Sequence, residues 1–262
     1  MSLLQVKELS RHFGGLKAVD NVSFDVEEGT VHSVIGPNGA GKTTLFNLLT
    51  GVYRPSSGQV SFAGKDVTGF APMALAHAGM SRTFQNLQIC LNMTACENVM
   101  LGAHRRLRHG LLTGMLNSAA LRRRDAECRK EALEFMEFAG VGAYADAHTT
   151  EMSFGALKRL EIARALASKP KMLLLDEPAA GLNPTETSEI STLIQSIARG
   201  GLTVMLVEHD MKMVMGISDR VTVLNYGVKL LSGTTAEVRR DPRVIKAYLG
   251  VDAPMAAAEV AA

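Results

Sequence analysis

Gly36-Pro37-Asn38-Gly39-Ala40-Gly41-Lys42-Thr43-Thr44 sets glycines, a lysine and a threonine at the spacing of a phosphate-binding loop. Glycines let backbone N–H groups close around phosphate oxygens, where a Cβ would clash. Lys42 is placed to reach β- and γ-phosphates, and the Thr43 hydroxyl suits Mg²⁺. Two adjacent carboxylates, Asp176 and Glu177, follow the apolar run Met172–Leu175. The first is placed to hold Mg²⁺, and the second to polarise a water. Singly, these could be a chance glycine turn and two solvated acids. Together they predict hydrolysis of a nucleoside triphosphate.

The elements that must position these groups can be read around them. Val31–Ile35 is a β-branched apolar run, hence a buried strand, and Thr44–Leu49 reads as a helix. The loop therefore ends at a helix N-terminus, whose partial positive charge favours phosphate. Val22, Phe24 and Val26 alternate with polar residues, as in a half-buried strand, and Gln59–Ala63 reads as another. Residues 121–139 read as a helix with Gly140 at its C-terminal cap, and residues 153–168 as a second, stopped by Pro170. The runs Met172–Leu175, Thr203–Val207 and Val221–Leu224 read as strands, with a helix over Glu189–Arg199.

Composition narrows the class. An apolar share of 47% and a charged share of 21% over 262 residues are those of an ordinary globular protein. A net charge of +2 gives no case for nucleic acid as a partner. Cys90, Cys96 and Cys128 form no metal or redox spacing, which fits reduced thiols in the cytosol. The opening residues lack a signal-peptide pattern, and no apolar run reaches the roughly 18 residues of a membrane span.

The order of motifs resembles one family. Met152-Ser153-Phe154-Gly155, leading into Lys158–Leu166, resembles the signature helix of ATP-binding cassette (ABC) ATPases. Gln85 stands where that family has its Q-loop glutamine, Gly181–Pro184 where it has its D-loop, and His209 at its switch histidine. The resemblance spans about residues 4–250 as a single ABC ATPase domain, residues 1–250, with a disordered tail at 251–262. It implies an α/β fold: a RecA-like P-loop ATPase core, an N-terminal antiparallel β-subdomain, and a helical subdomain inserted at about 86–160.

The resemblance also implies roles, with ATP and Mg²⁺ as cofactors. Phe13 matches the aromatic that stacks on adenine. Glu177 would be the general base, His209 would bond the γ-phosphate and orient it, and Gln85 would contact the water or Mg²⁺. Ser153 and Gly155 would cap the ATP of a facing ATPase domain, in a homodimer or with a second ABC ATPase subunit. Phe154, Ala156 and Asn183 depart from the commonest motif residues, and Ala156 removes a side chain near the nucleotide.

Ser81–Asn86, Pro178–Pro184, Val207–Lys212 and the ending Val244–Gly250 are similar to the longer ATP-binding subunit of branched-chain amino-acid importers. That branch implies two integral-membrane permease subunits, a solute-binding protein, and a peripheral place on the cytoplasmic face of the membrane. A lipid or lipopolysaccharide exporter shares the catalytic motifs, and a soluble ABC ATPase is a further alternative. The extra length at 102–125 fits the longer subunit. Arg105, Arg106, Arg108 and Arg122–Arg124 could face membrane, permease or solvent. Gln85–Asn98, with Leu87, Ile89, Leu91 and Met93 alternating, is a candidate permease-docking segment.

Overall fold

The computed structural model describes residues 2–104 and 119–249. Arg105, Arg106, Arg108, most of the 102–125 length and the 251–262 tail lie outside the described residues.

Two sheets organise the chain. The first is antiparallel: β1 (Ser2–Phe13), β2 (Leu16–Glu27), β4 (Ser57–Phe62) and β5 (Lys65–Asp66), in the order β2-β1-β4-β5. Val22, Phe24 and Val26 are buried while Asp25 and Glu27 are exposed, so the alternation read from sequence is the core face of β2.

The second sheet holds β3 (Val31–Ile35), β6 (Met80–Arg82), β7 (Met172–Asp176), β8 (Thr203–Val207), β9 (Arg220–Asn225) and β10 (Val228–Gly233). Their order is β10-β9-β3-β8-β7-β6, parallel except for β10. β3, β7 and β8 are buried throughout; β7 and β8 therefore read as largely apolar runs, and β3 buries His32 and Ser33 among its apolar residues. Leu173, Leu175, Val204 and Leu206 face one core, and Met172, Leu174, Met205 and Val207 the other. The second core seats α1 (Lys42–Leu49) through Leu45, Phe46 and Leu49.

Between β6 and β7 come α3 (Ala95–Ala103), α4 (Ala119–Phe138) and α5 (Phe154–Ala167), preceded in the chain by the short α2 (Pro72–Ala78). Thr94 and Glu97 form a reciprocal capping box that starts α3. α3 crosses α5 closely at Gly102, where a Cβ would collide with the Arg164 carbonyl. Past β7 come α6 (Pro184–Arg199), α7 (Met211–Ile217), α8 (Thr235–Arg240) and α9 (Pro242–Leu249). The strands of the parallel sheet therefore run out toward one rim, where ligands of open α/β sheets bind.

Candidate active site at the rim of the parallel sheet

β3 delivers the phosphate loop to that rim. Gly36, Gly39 and Gly41 all have positive φ, at 155°, 79° and 99°. A Cβ at Gly36 would strike the Leu224 carbonyl, and one at Gly41 the Ala18 carbonyl. These positions need glycine both for backbone conformation and for close approach. Gly41 caps α1, so the free N–H groups of that helix open toward the loop.

Lys42 folds back over the loop. Its Nζ donates to the carbonyls of Gly36 at 2.6 Å and Pro37 at 3.0 Å. Burial lowers its pKa, and the Glu177 carboxylate pushes the other way. Asn38 to Thr44 line a cleft of about 370 Å³ together with Leu16, Lys17, Ala18, Glu177, Tyr226 and Gly227. The phosphate loop and the candidate base thus share one cleft.

Asp176 ends β7 and is buried. Its Oδ2 accepts from Arg82 Nη2 at 2.7 Å, and the other guanidinium nitrogen, Nη1, donates to Asn47 and Thr50 of the helix that follows the loop. Arg82 therefore ties β6, β7 and α1 into one network. Sequence reasoning gave Arg82 no role, because its partner lies 94 residues away.

Glu177 follows in a left-handed backbone conformation, φ +48°, which is costly for a residue with a Cβ. Its N–H donates to the Val207 carbonyl at 3.0 Å, and Gln85 Nε2 donates to its carboxylate at 3.0 Å. The structure thus brings together Gln85 and Glu177 beyond the C-terminal ends of the neighbouring parallel strands β6 and β7. His209 follows β8 with a side chain 61% exposed, its Nδ1 3.5 Å from Glu208. Glu208 is fully buried and accepts from the backbone N–H groups of Ala179, His209 and Asp210. It holds the His209 turn to the segment after β7, a role sequence reasoning also missed.

Gly36, Pro37, Gln85, Asp176 and His209 border the cleft without lining it, and Phe13, Ser153 and Gly155 are also absent from its lining. Phe13, 39% exposed, ends β1 with the Arg11 guanidinium 4.6 Å from its ring centre and Tyr53 edge-on at 5.4 Å. Ser153 is the N-cap of α5, its Oγ accepting from Ala156 N–H at 3.2 Å. Ala156 is buried there, so the motif departure falls on the inner side of the helix. Gly155 abuts Glu186, and Gly181 abuts the exposed Phe154 ring. Asn183 caps α6 reciprocally with Glu186, which accounts for a capping residue at this departure.

The candidate docking segment is irregular. Residues 85–94 form no strand, Ile89 packs against the core, and buried Asn98 holds the Cys90 backbone through both N–H and C=O. Leu91 is the exposed apolar group. Arg123 pairs with Glu127 along α4, which favours the solvated reading of that basic run.

The donors available for a metal are oxygens: the Thr43 hydroxyl, the Gln85 amide and the Asp176 carboxylate. Such a set fits Mg²⁺ completed by phosphate oxygens and water. Among the described residues no cluster of three or more His, Cys, Asp or Glu could hold a metal by itself. Nor is any described helix long and apolar enough to cross a membrane.

Known proteins resemble this chain over nearly its full length. A family profile described as ABC transporter matches residues 19–180, and one described as branched-chain amino acid ATP-binding cassette transporter matches residues 228–254. The chain is 45% identical over 249 residues to the high-affinity branched-chain amino acid transport ATP-binding protein LivG of Salmonella typhimurium, covering 95% of this chain and 98% of that one. The corresponding protein of Pseudomonas aeruginosa, BraF, is 44% identical over the same shares. Among solved structures, a nucleotide-free ATP-binding cassette from an ABC transporter superposes with TM-score 0.83 at 32% identity, over 96% of this chain and 100% of that one. A dimeric cassette bound to ADP and Pi gives TM-score 0.74 at 26% identity, over 88% and 98%.

Proposed function

The chain belongs to the ABC transporter family as one of its ATP-binding subunits, and from that premise we propose that it powers the uptake of branched-chain or related amino acids. The relatives named above and the short C-terminal match at 228–254 support the solute class. Residues 1–250 act as one cassette, with 86–160 as its helical subdomain.

The observation that carries the catalytic reading is Glu177. It lines the same cleft as Lys42 and Thr43, in a strained backbone, with Gln85 on its carboxylate. A carboxylate so fixed can take the proton of a water attacking the γ-phosphate. Backbone N–H groups of residues 38–44 and Lys42 would hold the phosphates. Thr43, Asp176 and Gln85 would hold Mg²⁺, which neutralises charge on the phosphate oxygens. His209 would orient the γ-phosphate against Glu177. Phe13 would stack on adenine through the ring face that Arg11 does not cover.

Ser153 and Gly155 present a helix N-terminus away from this cleft. They are read as capping the nucleotide of a facing cassette, either a second ABC ATPase or another copy. Two permease subunits, with a solute-binding protein beyond them, would place the chain peripherally on the cytoplasmic face of the membrane. Leu91 and Leu87 are the docking side chains best suited to the permease, since Ile89 is committed to the core.

The test is Glu177→Gln. ATP binding should persist while hydrolysis falls by roughly 10²–10⁴-fold, the usual worth of a general base. Near-normal turnover in that variant would remove Glu177 from the role.

A further inference from the structure

The tip of the β9–β10 hairpin carries an aromatic residue that its turn does not call for. Asn225 pairs with Val228, so Tyr226 and Gly227 are the two loop residues. Both have positive φ, 47° and 79°. This is a turn with two left-handed central residues, where Asn-Gly or Asp-Gly is favoured and a large side chain is strained. Tyrosine at the first position works against the turn.

Nor does packing explain the ring. Tyr226 is 85% exposed, the most exposed large apolar side chain among the described residues. An exposed aromatic at a strained backbone position has no stabilising role within the chain. Its surroundings give it another. The hairpin tip is pinned to the phosphate loop: Gly227 N–H donates to the Ala40 carbonyl at 3.0 Å, and the Gly227 carbonyl accepts from Asp20 N–H at 2.8 Å. Tyr226 is thereby fixed at the cleft, which it lines with Leu16 and Lys17.

The cleft is lined by residues of two chemical kinds. Asn38 to Thr44 supply N–H groups, a lysine and hydroxyls, which suit phosphates. Leu16, Ala18 and Tyr226 supply apolar and aromatic surface, which suits a nucleoside. Phe13 is absent from this lining, and its ring is flanked by Arg11 and Tyr53.

We propose that Tyr226, backed by Leu16, is a nucleoside-binding wall of the cleft that packs its ring against the purine or ribose of bound ATP. The inference rests on the nucleotide reading of the cleft, and extends it to a residue outside the motifs. It accounts for the retained strain: the turn gives up stability and its pinned backbone holds an aromatic residue at the cleft before the ligand arrives.

The test uses the full-length protein, Tyr226→Asn and Tyr226→Phe, with ATP and inorganic tripolyphosphate as separate ligands and calorimetry as the readout. Asparagine tolerates the left-handed turn, so Tyr226→Asn should raise the unfolding midpoint by about 2–4 °C. It should weaken ATP binding by about five- to tenfold. Tripolyphosphate binding should stay within about twofold, because the phosphate-binding residues are untouched. Tyr226→Phe should bind ATP as the parent does. A structural role alone would move stability and affinity in the same direction. Unchanged ATP affinity in Tyr226→Asn overturns the proposal, as does equal weakening of both ligands, which would make the ring a support for the loop. Lys42→Ala separates the underlying reading: if that variant keeps full affinity for both ligands, the cleft is not the nucleotide site.

Discussion

Lys42 and Asp176 are gripped by their own chain, whereas Ser153 and Phe154 are presented outward. Lys42 is bonded to two carbonyls of the loop, and Asp176 to an arginine that also holds the following helix. Around α5 the arrangement is reversed. Ser153 and Phe154 are exposed at a helix N-terminus. The first region is complete before a ligand comes. The second is an exposed surface, which suits contact with something outside the fold. Catalysis by such a molecule would join one region of one chain to the other region of its neighbour.

The largest effect that could break this comparison is complementation. Lys42→Ala and Ser153→Arg should each abolish most hydrolysis. If the chain forms homodimers, mixing the two should restore activity, since one site of the mixed dimer keeps an intact loop and an intact signature. Activity should also rise more than linearly with concentration. Dimers that form without any return of activity would place Ser153 outside the second region's proposed role.

A smaller effect probes the strand that carries the self-contained region. His32 of β3 is fully buried, with Nε2 2.9 Å from the Thr222 hydroxyl, and burial drives its pKa down to about 4, helped by Arg220. The unfolded chain takes this proton near pH 6.5 and the folded chain only near 4. Between those values the unfolded state binds more protons, so stability is full above pH 6.5 and falls as pH drops toward 4. The loss should approach roughly 3 kcal/mol, read from urea unfolding across that window. His32→Gln should flatten the slope; an equally steep slope in that variant assigns the acid sensitivity elsewhere.

The smallest effect concerns Phe13, which stands between the two regions in character, half exposed and partly claimed by Arg11. Phe13→Ala should weaken ATP binding by roughly 1–2 kcal/mol with little change in kcat. A large drop in unfolding midpoint with unchanged affinity would make Phe13 a packing residue instead.

Much of the first region was legible in the sequence because its signals are local. A β-branched run, a glycine loop and a helix lie within Val31–Leu49, and the structure places β3 and α1 there. Asp176 ends β7 as its apolar run predicts. Less was legible where the cause is distant or short. β6 has three residues, too few to show a period. Arg82, Glu208 and Asn98 read as ordinary polar residues until the fold brings their partners to them. The apparent alternation over Leu87–Met93 has a similar origin: Ile89 packs inward and Leu91 outward, without a strand.

The close crossing at Gly102 has a mechanical consequence. With the Arg164 carbonyl where a Cβ would be, α3 and α5 touch backbone to backbone, leaving no side-chain layer to shear. α5 also holds the segment after β6: Lys158 donates to the Gln85 carbonyl, Arg164 to the Gln88 carbonyl, and Glu161 draws on the N–H groups of Phe84 and Gln88. Gln85 and Ser153 are therefore mounted on a single strut, a 14-residue helix about 21 Å long. Were Gln85 to meet a nucleotide as proposed, a displacement there would be carried to Ser153 by one helix, in the way a rocker arm turns one displacement into another at its far end.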